Sequence, residues 1–115
     1  MAEARNVVRE IRQQGGATIV VLSGEVDLHH TPEVHKALVG ACQQRPERLV
    51  INLSEVGYMD SSGIGTLVEI FRRVKGFGGK LVLCGLSERV YSVFEITRLD
   101  KFFKICETEE EALAA

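Results

Sequence analysis

Three short, mostly apolar runs, at 18–22, 49–53 and 81–84, alternate along this chain with segments whose apolar residues recur at intervals of three and four. A short apolar run rich in β-branched residues suits a strand packed on its faces, and the three-to-four spacing suits one stripe of a helix. Strand and helix in repeated alternation imply right-handed crossovers and a largely parallel sheet. At 115 residues the chain has the size of one domain around one core.

The rest of the architecture follows segment by segment. Val7-Val8-Arg9-Glu10-Ile11 loosely alternates, and Gly15-Gly16 offers a turn into the 18–22 run, so an antiparallel edge hairpin is expected at the start. Thr31-Pro32 predicts a helix start, with the hydroxyl as N-cap and proline at the first position. Val34, Ala37, Leu38, Ala41 and Cys42 form its stripe. A second helix is predicted from Ser61-Ser62, with Ile64, Leu67, Val68, Phe71 and Val74 inward and Gly76-Phe77-Gly78-Gly79 as its stop. Ser87 caps a short helix carrying Val90, Val93 and Phe94, and residues 102–106 read as a last strand. Thr108 and Glu111 have capping-box spacing ahead of a terminal helix with Ala112 and Leu113, and the acidic 109–111 turn suits the helix dipole. The predicted fold class is α/β: one domain with its core at about 7–113, a mixed, mostly parallel sheet with an N-terminal antiparallel edge hairpin, and about four helices.

Composition removes several functions. Net charge is −2 and no Lys/Arg block occurs, so the electrostatic footprint of a nucleic-acid binder is missing. The apolar runs fall far short of the roughly 20 residues that span a bilayer. Met1-Ala2-Glu3-Ala4-Arg5-Asn6 carries no apolar h-region, so no signal peptide is expected. Cys42, Cys84 and Cys106 are odd in number and form no C-x-x-C pair, which favours packed, reduced thiols in a cytoplasmic protein over a disulfide or zinc site. His29, His30 and His35 lack a carboxylate or Cys at ligand spacing, so solvated side chains are expected rather than a metal. No cofactor is implied.

Loops that leave parallel strands emerge on one edge of a sheet, where open α/β folds place their sites. The predicted loops are 23–31 and 54–62, so Asp27 and Ser61 are expected on the same edge. The second loop contains Tyr58-Met59-Asp60-Ser61-Ser62-Gly63-Ile64-Gly65, for which four readings compete. A nucleophile elbow needs G-x-S-x-G, and neither serine has a glycine two residues before it. A dinucleotide fingerprint fails because Val68 stands where its third glycine would be, although amides at a helix start still attract anions. Asp60, Ser61 and Ser62 are good N-cap residues and could be nothing more. Alternatively Ser61 is a phosphoacceptor: a phosphate adds about −1.5 to −2 charge, which a helix N-terminus tolerates and a docked partner does not. The residues alone leave the last two readings open.

The chain resembles anti-sigma factor antagonists of the STAS domain family over nearly its full length. The resemblance rests on Leu22-Ser23-Gly24-Glu25-Val26-Asp27, the 49–53 run, Gly79-Lys80-Leu81-Val82-Leu83-Cys84, residues 102–113 and above all Met59-Asp60-Ser61-Ser62-Gly63-Ile64-Gly65. It implies helices packed mainly on one side of the sheet, and a protein that binds and does not catalyse. The dephosphorylated form would bind an anti-sigma factor with serine kinase activity, so that a sigma factor is released. Phosphorylation of the first motif serine, Ser61, would end the interaction, and a serine phosphatase would reverse it. Asp60 would shape the loop and the kinase contact, Asp27 matches an acidic position near the same surface, and Asn52 stands where many members have Asp. Thr31, Ser62, Gly63 and Gly65 join Asp27 and Asp60 as expected partner contacts. No nucleic acid and no membrane is expected as a partner. Two other readings stay in view: a constitutive STAS subunit of a transporter or signalling assembly, and a small hydrolase acting through Ser61.

Overall fold

The computed structural model describes residues 6–115. Strand β1 (Val8–Gln14) turns through Gly15, whose φ of +63° suits a residue without a Cβ, into β2 (Ala17–Val26). The pair is antiparallel, as the opening segment predicts. Then follow α1 (Thr31–Gln43), β3 (Arg48–Met59), α2 (Ser61–Gly76), β4 (Lys80–Cys84), α3 (Glu88–Ile96), β5 (Lys104–Cys106) and α4 (Glu109–Ala114). The sheet has the order β1-β2-β3-β4-β5, with β2 through β5 mutually parallel.

That order explains where the helices lie. The parallel strands step through the sheet in one direction, so right-handed crossovers carry α1, α2 and α3 over the same face. Leu38 of α1, Leu67 and Ile70 of α2 and Phe94 of α3 bury themselves there against Leu22, Leu49, Ile51 and Leu53. Each such side chain contributes about 1.5–3 kcal/mol by leaving water. The opposite face is thinner: Ile19, Val21, Val50, Val82 and Cys84 are covered by α4 through Ala112. Helices mainly on one side, with a central β3 covered on both, is the predicted arrangement.

Several local expectations need correction. The strands are longer than their apolar runs, since β2 and β3 continue through much of the predicted loops. The pairing Val21↔Asn52 is followed by Ser23↔Glu55, and Gly24↔Val56 by Glu25↔Tyr58, so β3 gains a residue over β2 at each shift. With those bulges the buried positions Leu53, Val56 and Met59 recur every third residue, which hides the strand from a period-two pattern. His30, not Thr31, is the N-cap of α1, and it makes no side-chain cap bond. Thr31 is buried, and its hydroxyl donates back to the Leu28 carbonyl at 3.4 Å. In α2, Ile70 is fully buried while Val68 and Phe71 are only partly so. The last strand is shorter than predicted: Phe102 and Phe103 form the turn before it, Phe103 buried and Phe102 exposed.

Candidate functional site

Asp60 is the centre of the edge formed by the C-terminal ends of β2 and β3. Val26 and Met59 are register partners at those ends, and the Asp60 amide donates to the Val26 carbonyl at 3.2 Å. This places the start of α2 directly after the paired strands. Asp60 takes the extended N-cap conformation. Its Oδ1 accepts from the Ser62 amide at 2.9 Å, the Gly63 amide at 3.3 Å and the Ser62 hydroxyl at 2.6 Å. Its Oδ2 accepts from the Leu28 amide of the neighbouring loop at 3.2 Å. The Ser62 hydroxyl, followed by these amides, holds the Asp60 carboxyl below the usual carboxylate range.

The other loop is built around Asp27. Its carbonyl accepts from the His30 amide at 3.0 Å and the Thr31 amide at 2.9 Å, and its Oδ1 accepts from the His30 amide at 3.1 Å. The His30 ring Nδ1 lies 2.8 Å from the same oxygen and is the main cause holding the Asp27 carboxyl low. Both carboxylates are therefore ionised at neutral pH, and the edge is negative. His29 is exposed as expected, while two of the histidines also have carboxylate partners: His30 Nδ1 is at Asp27, and His35 Nε2 lies 2.8 Å from Glu69 Oε2.

The two serines differ. Ser62 is partly buried and its hydroxyl is bound to Asp60, whereas Ser61 is exposed at the first position of α2 and its hydroxyl has no hydrogen bond among the described residues. The two glycines differ as well. A Cβ at Gly63 would stand 2.8 Å from the Val26 carbonyl oxygen and 2.8 Å from Met59 Cγ, so this glycine lets the helix start lie against the strand ends. Gly65 is exposed, with nothing within 4 Å of where its Cβ would be. Four residues on from Ser61, it leaves bare backbone on the same helix face. Asp27, Asp60, Ser61, Ser62 and Gly63 thus come together, Gly65 lies one turn away, and Thr31 points inward.

One exposed residue escaped the sequence reading. Leu28 is 75% exposed between Asp27 and the histidines, an apolar side chain beside the charged centre. An isolated leucine in a polar D-L-H-H loop was the available signal. Tyr58 is exposed, with the Arg89 guanidinium 5.7 Å from its ring centroid, and Met59 is core. Asn52 is a joint to the far face: its Nδ2 donates to Glu109 Oε2 at 2.8 Å and its Oδ1 accepts from the Ser54 amide at 2.9 Å. Glu109 also pairs with Arg12, so it does more than suit a helix dipole.

The fold is an α/β sheet with three helices on one face and an Asp60-capped Asp-Ser-Ser-Gly turn at its strand ends. The chain belongs to the STAS domain family, whose model matches residues 9–112. It is 36% identical over 107 residues to the anti-sigma-B factor antagonist of Listeria monocytogenes, covering 92% of this chain and 94% of that protein. It is also 36% identical to the anti-sigma-B factor antagonist of Bacillus subtilis over 105 residues, covering 91% of this chain and 95% of that one. Among solved structures, an anti-sigma factor antagonist from Mycobacterium paratuberculosis superposes with a TM-score of 0.84 at 26% identity, over 91% of this chain and 89% of that one.

Proposed function

We propose that this chain is an anti-sigma factor antagonist whose binding is switched at Ser61. In the unphosphorylated state the Asp27–Asp60–Ser61 edge docks on an anti-sigma factor and so frees a sigma factor. The partner is also the serine kinase: it transfers a phosphoryl group to Ser61 and loses its hold, and a serine phosphatase restores the binding form. The chain itself catalyses nothing and works in the cytoplasm. No described helix is long and apolar enough to cross a membrane.

The observation that carries this reading is the division of labour between the serines. The Ser62 hydroxyl donates to the capping Asp60 carboxylate, while the Ser61 hydroxyl is exposed and uncommitted. Asp60 already takes the Ser62 and Gly63 amides, so a phosphate on Ser61 would not be swallowed by the helix end. Its charge of about −1.5 to −2 would stand on the surface beside two ionised carboxylates. Like charges brought together at an interface cost several kcal/mol, and each 1.4 kcal/mol is tenfold in affinity.

The test pairs the chain with the anti-sigma factor kinases of its own organism. Ser61→Ala is expected to bind as the unmodified protein does, and Ser61→Asp about a hundredfold more weakly, from roughly 3 kcal/mol of repulsion. Incubation with ATP should add one phosphate at Ser61, seen by peptide mass spectrometry, and dissolve the complex. Equal binding by both variants would leave a constitutive subunit as the better reading.

A further inference from the structure

The end of the sheet opposite Ser61 carries a second concave surface. A half-open pit of about 450 Å³ lies between the last turn of α2, the first residues of β4 and β5, and the turn leading into β5. Small-ligand sites commonly have roughly 300–1,000 Å³. Phe71, Leu81 and Phe102 supply its apolar surface, with the two rings 4.5 Å apart and tilted by 47°. Phe102 remains 45% exposed although it sits beside buried Phe103.

Lys75, Lys80 and Lys104 also line the pit, and no Asp or Glu side chain does. None of these ammonium groups has a carboxylate partner among the described residues; Lys75 instead lies 5.9 Å from the Phe71 ring centroid. Ala115 reaches the same surface, but its carbonyl oxygen is taken by Arg48. In a chain with a net charge of −2, three lysines without an Asp or Glu partner among the described residues converge from three separate elements around an aromatic floor.

We propose that this pit binds a small free organic anion that joins a phosphate or carboxylate to a flat apolar group. The lysines meet the charge with ammonium-to-anion hydrogen bonds, which are about twice as strong as neutral ones. The Phe71 and Phe102 rings take the apolar part by offset or edge contact. Neither half suffices, since exposed lysines bind simple anions weakly and the apolar surface is small. From Ser61 to Lys75 along α2 is fourteen residues at 1.5 Å each, roughly 21 Å, so a bound ligand leaves the Ser61 edge open to its partner.

The test is a titration of the ¹⁵N-labelled full chain with 1-naphthyl phosphate, followed by amide shifts. Saturating changes should centre on Lys75, Lys80, Phe102 and Lys104. The double variant Lys80→Ala/Lys104→Ala should weaken binding at least tenfold with an unchanged urea midpoint, because both side chains are exposed. Phe102→Ala should weaken it by a similar factor. Inorganic phosphate and 1-naphthol should each bind at least tenfold more weakly than the joined molecule. Inorganic phosphate binding as well as naphthyl phosphate, or a double variant that binds unchanged, would overturn the proposal. So would shifts that centre on Ser61. Sedimentation with phosphatidylglycerol vesicles through the same lysines, with naphthyl phosphate silent, would show a membrane-facing patch instead.

Discussion

The Asp60 carboxylate and the Leu28 amide, 3.2 Å apart, join the two loops that carry the candidate site. The same carboxylate caps α2, so the position of the exposed Ser61 and the shape of the Asp27 loop depend on one side chain. Losing an N-cap costs about 0.5–2 kcal/mol. Asp60→Ala should lie near the upper end of that range by urea unfolding, because the Leu28 amide loses its acceptor too. Asp60→Asn, which keeps an acceptor oxygen, should lose less than 1 kcal/mol on the same scale.

Asp60 and Asp27 also fix how stability responds to acid. Both have folded-state pKa values lowered, Asp60 chiefly by the Ser62 hydroxyl and Asp27 chiefly by the His30 ring. A lowered carboxylate contributes its full share of stability above the unfolded value, about 3.9, and loses it as pH falls through the folded value. Urea midpoints should therefore be level from neutral pH down to about pH 5 as far as these groups are concerned, and fall below about pH 4. The fall should be shallower in Asp60→Asn. An identical acid slope in that variant would remove Asp60 from the account.

The strand-helix alternation in the sequence was enough for the sheet, its antiparallel edge and the shared edge of Asp27 and Ser61, because each rests on periodicity over several residues. The D-S-S-G segment likewise named its own place at a helix start. What was hidden has physical causes. The second half of β3 is masked by bulges that turn a two-residue period into three, so Ser54 to Met59 reads as loop. The choice between Ser61 and Ser62 depends on which hydroxyl reaches Asp60, a rotamer and not a pattern. The capping residue of α1 was misplaced because Thr-Pro is a good cap signal, whereas here the Asp27 turn positions the helix start and Thr31 turns inward. The lysines of the distal pit lie up to 29 positions apart, between 75 and 104, and only the packing of β5 beside β4 gathers them.

The thiols give an independent check on packing. Burial pushes the Cys84 thiol up to about 11, with Glu109 and Cys106 adding to the effect, and burial also raises Cys42. Only the thiolate reacts. Cys106 is the partly exposed one of the three. Iodoacetamide at pH 8 should therefore label Cys106 first in the native protein, with Cys84 and Cys42 modified only in urea. Rapid labelling of Cys84 without denaturant would mean that α4 does not cover the far face as described.

Gly63 and Gly65 separate the packing role of the motif glycines from a binding role. Gly63→Ala forces a Cβ to within 2.8 Å of the Val26 carbonyl oxygen, a backbone atom that cannot rotate away, and 2.9 Å of Val26 Cγ1. Overpacking of this kind typically costs about 1–3 kcal/mol, so the unfolding midpoint should drop and the α2 start should shift. Gly65→Ala meets nothing within 4 Å and sits inside the helix. Alanine there should stabilise the free protein by about 0.5–1 kcal/mol through its helix propensity. If the bare backbone at Gly65 is where a partner approaches beside Ser61, the same variant should bind that partner less tightly while being more stable. Stability and affinity then move in opposite directions, which a folding defect cannot produce. A Gly65→Ala protein that is more stable and binds as before would confine the docking surface to Asp27, Leu28, Asp60 and Ser61.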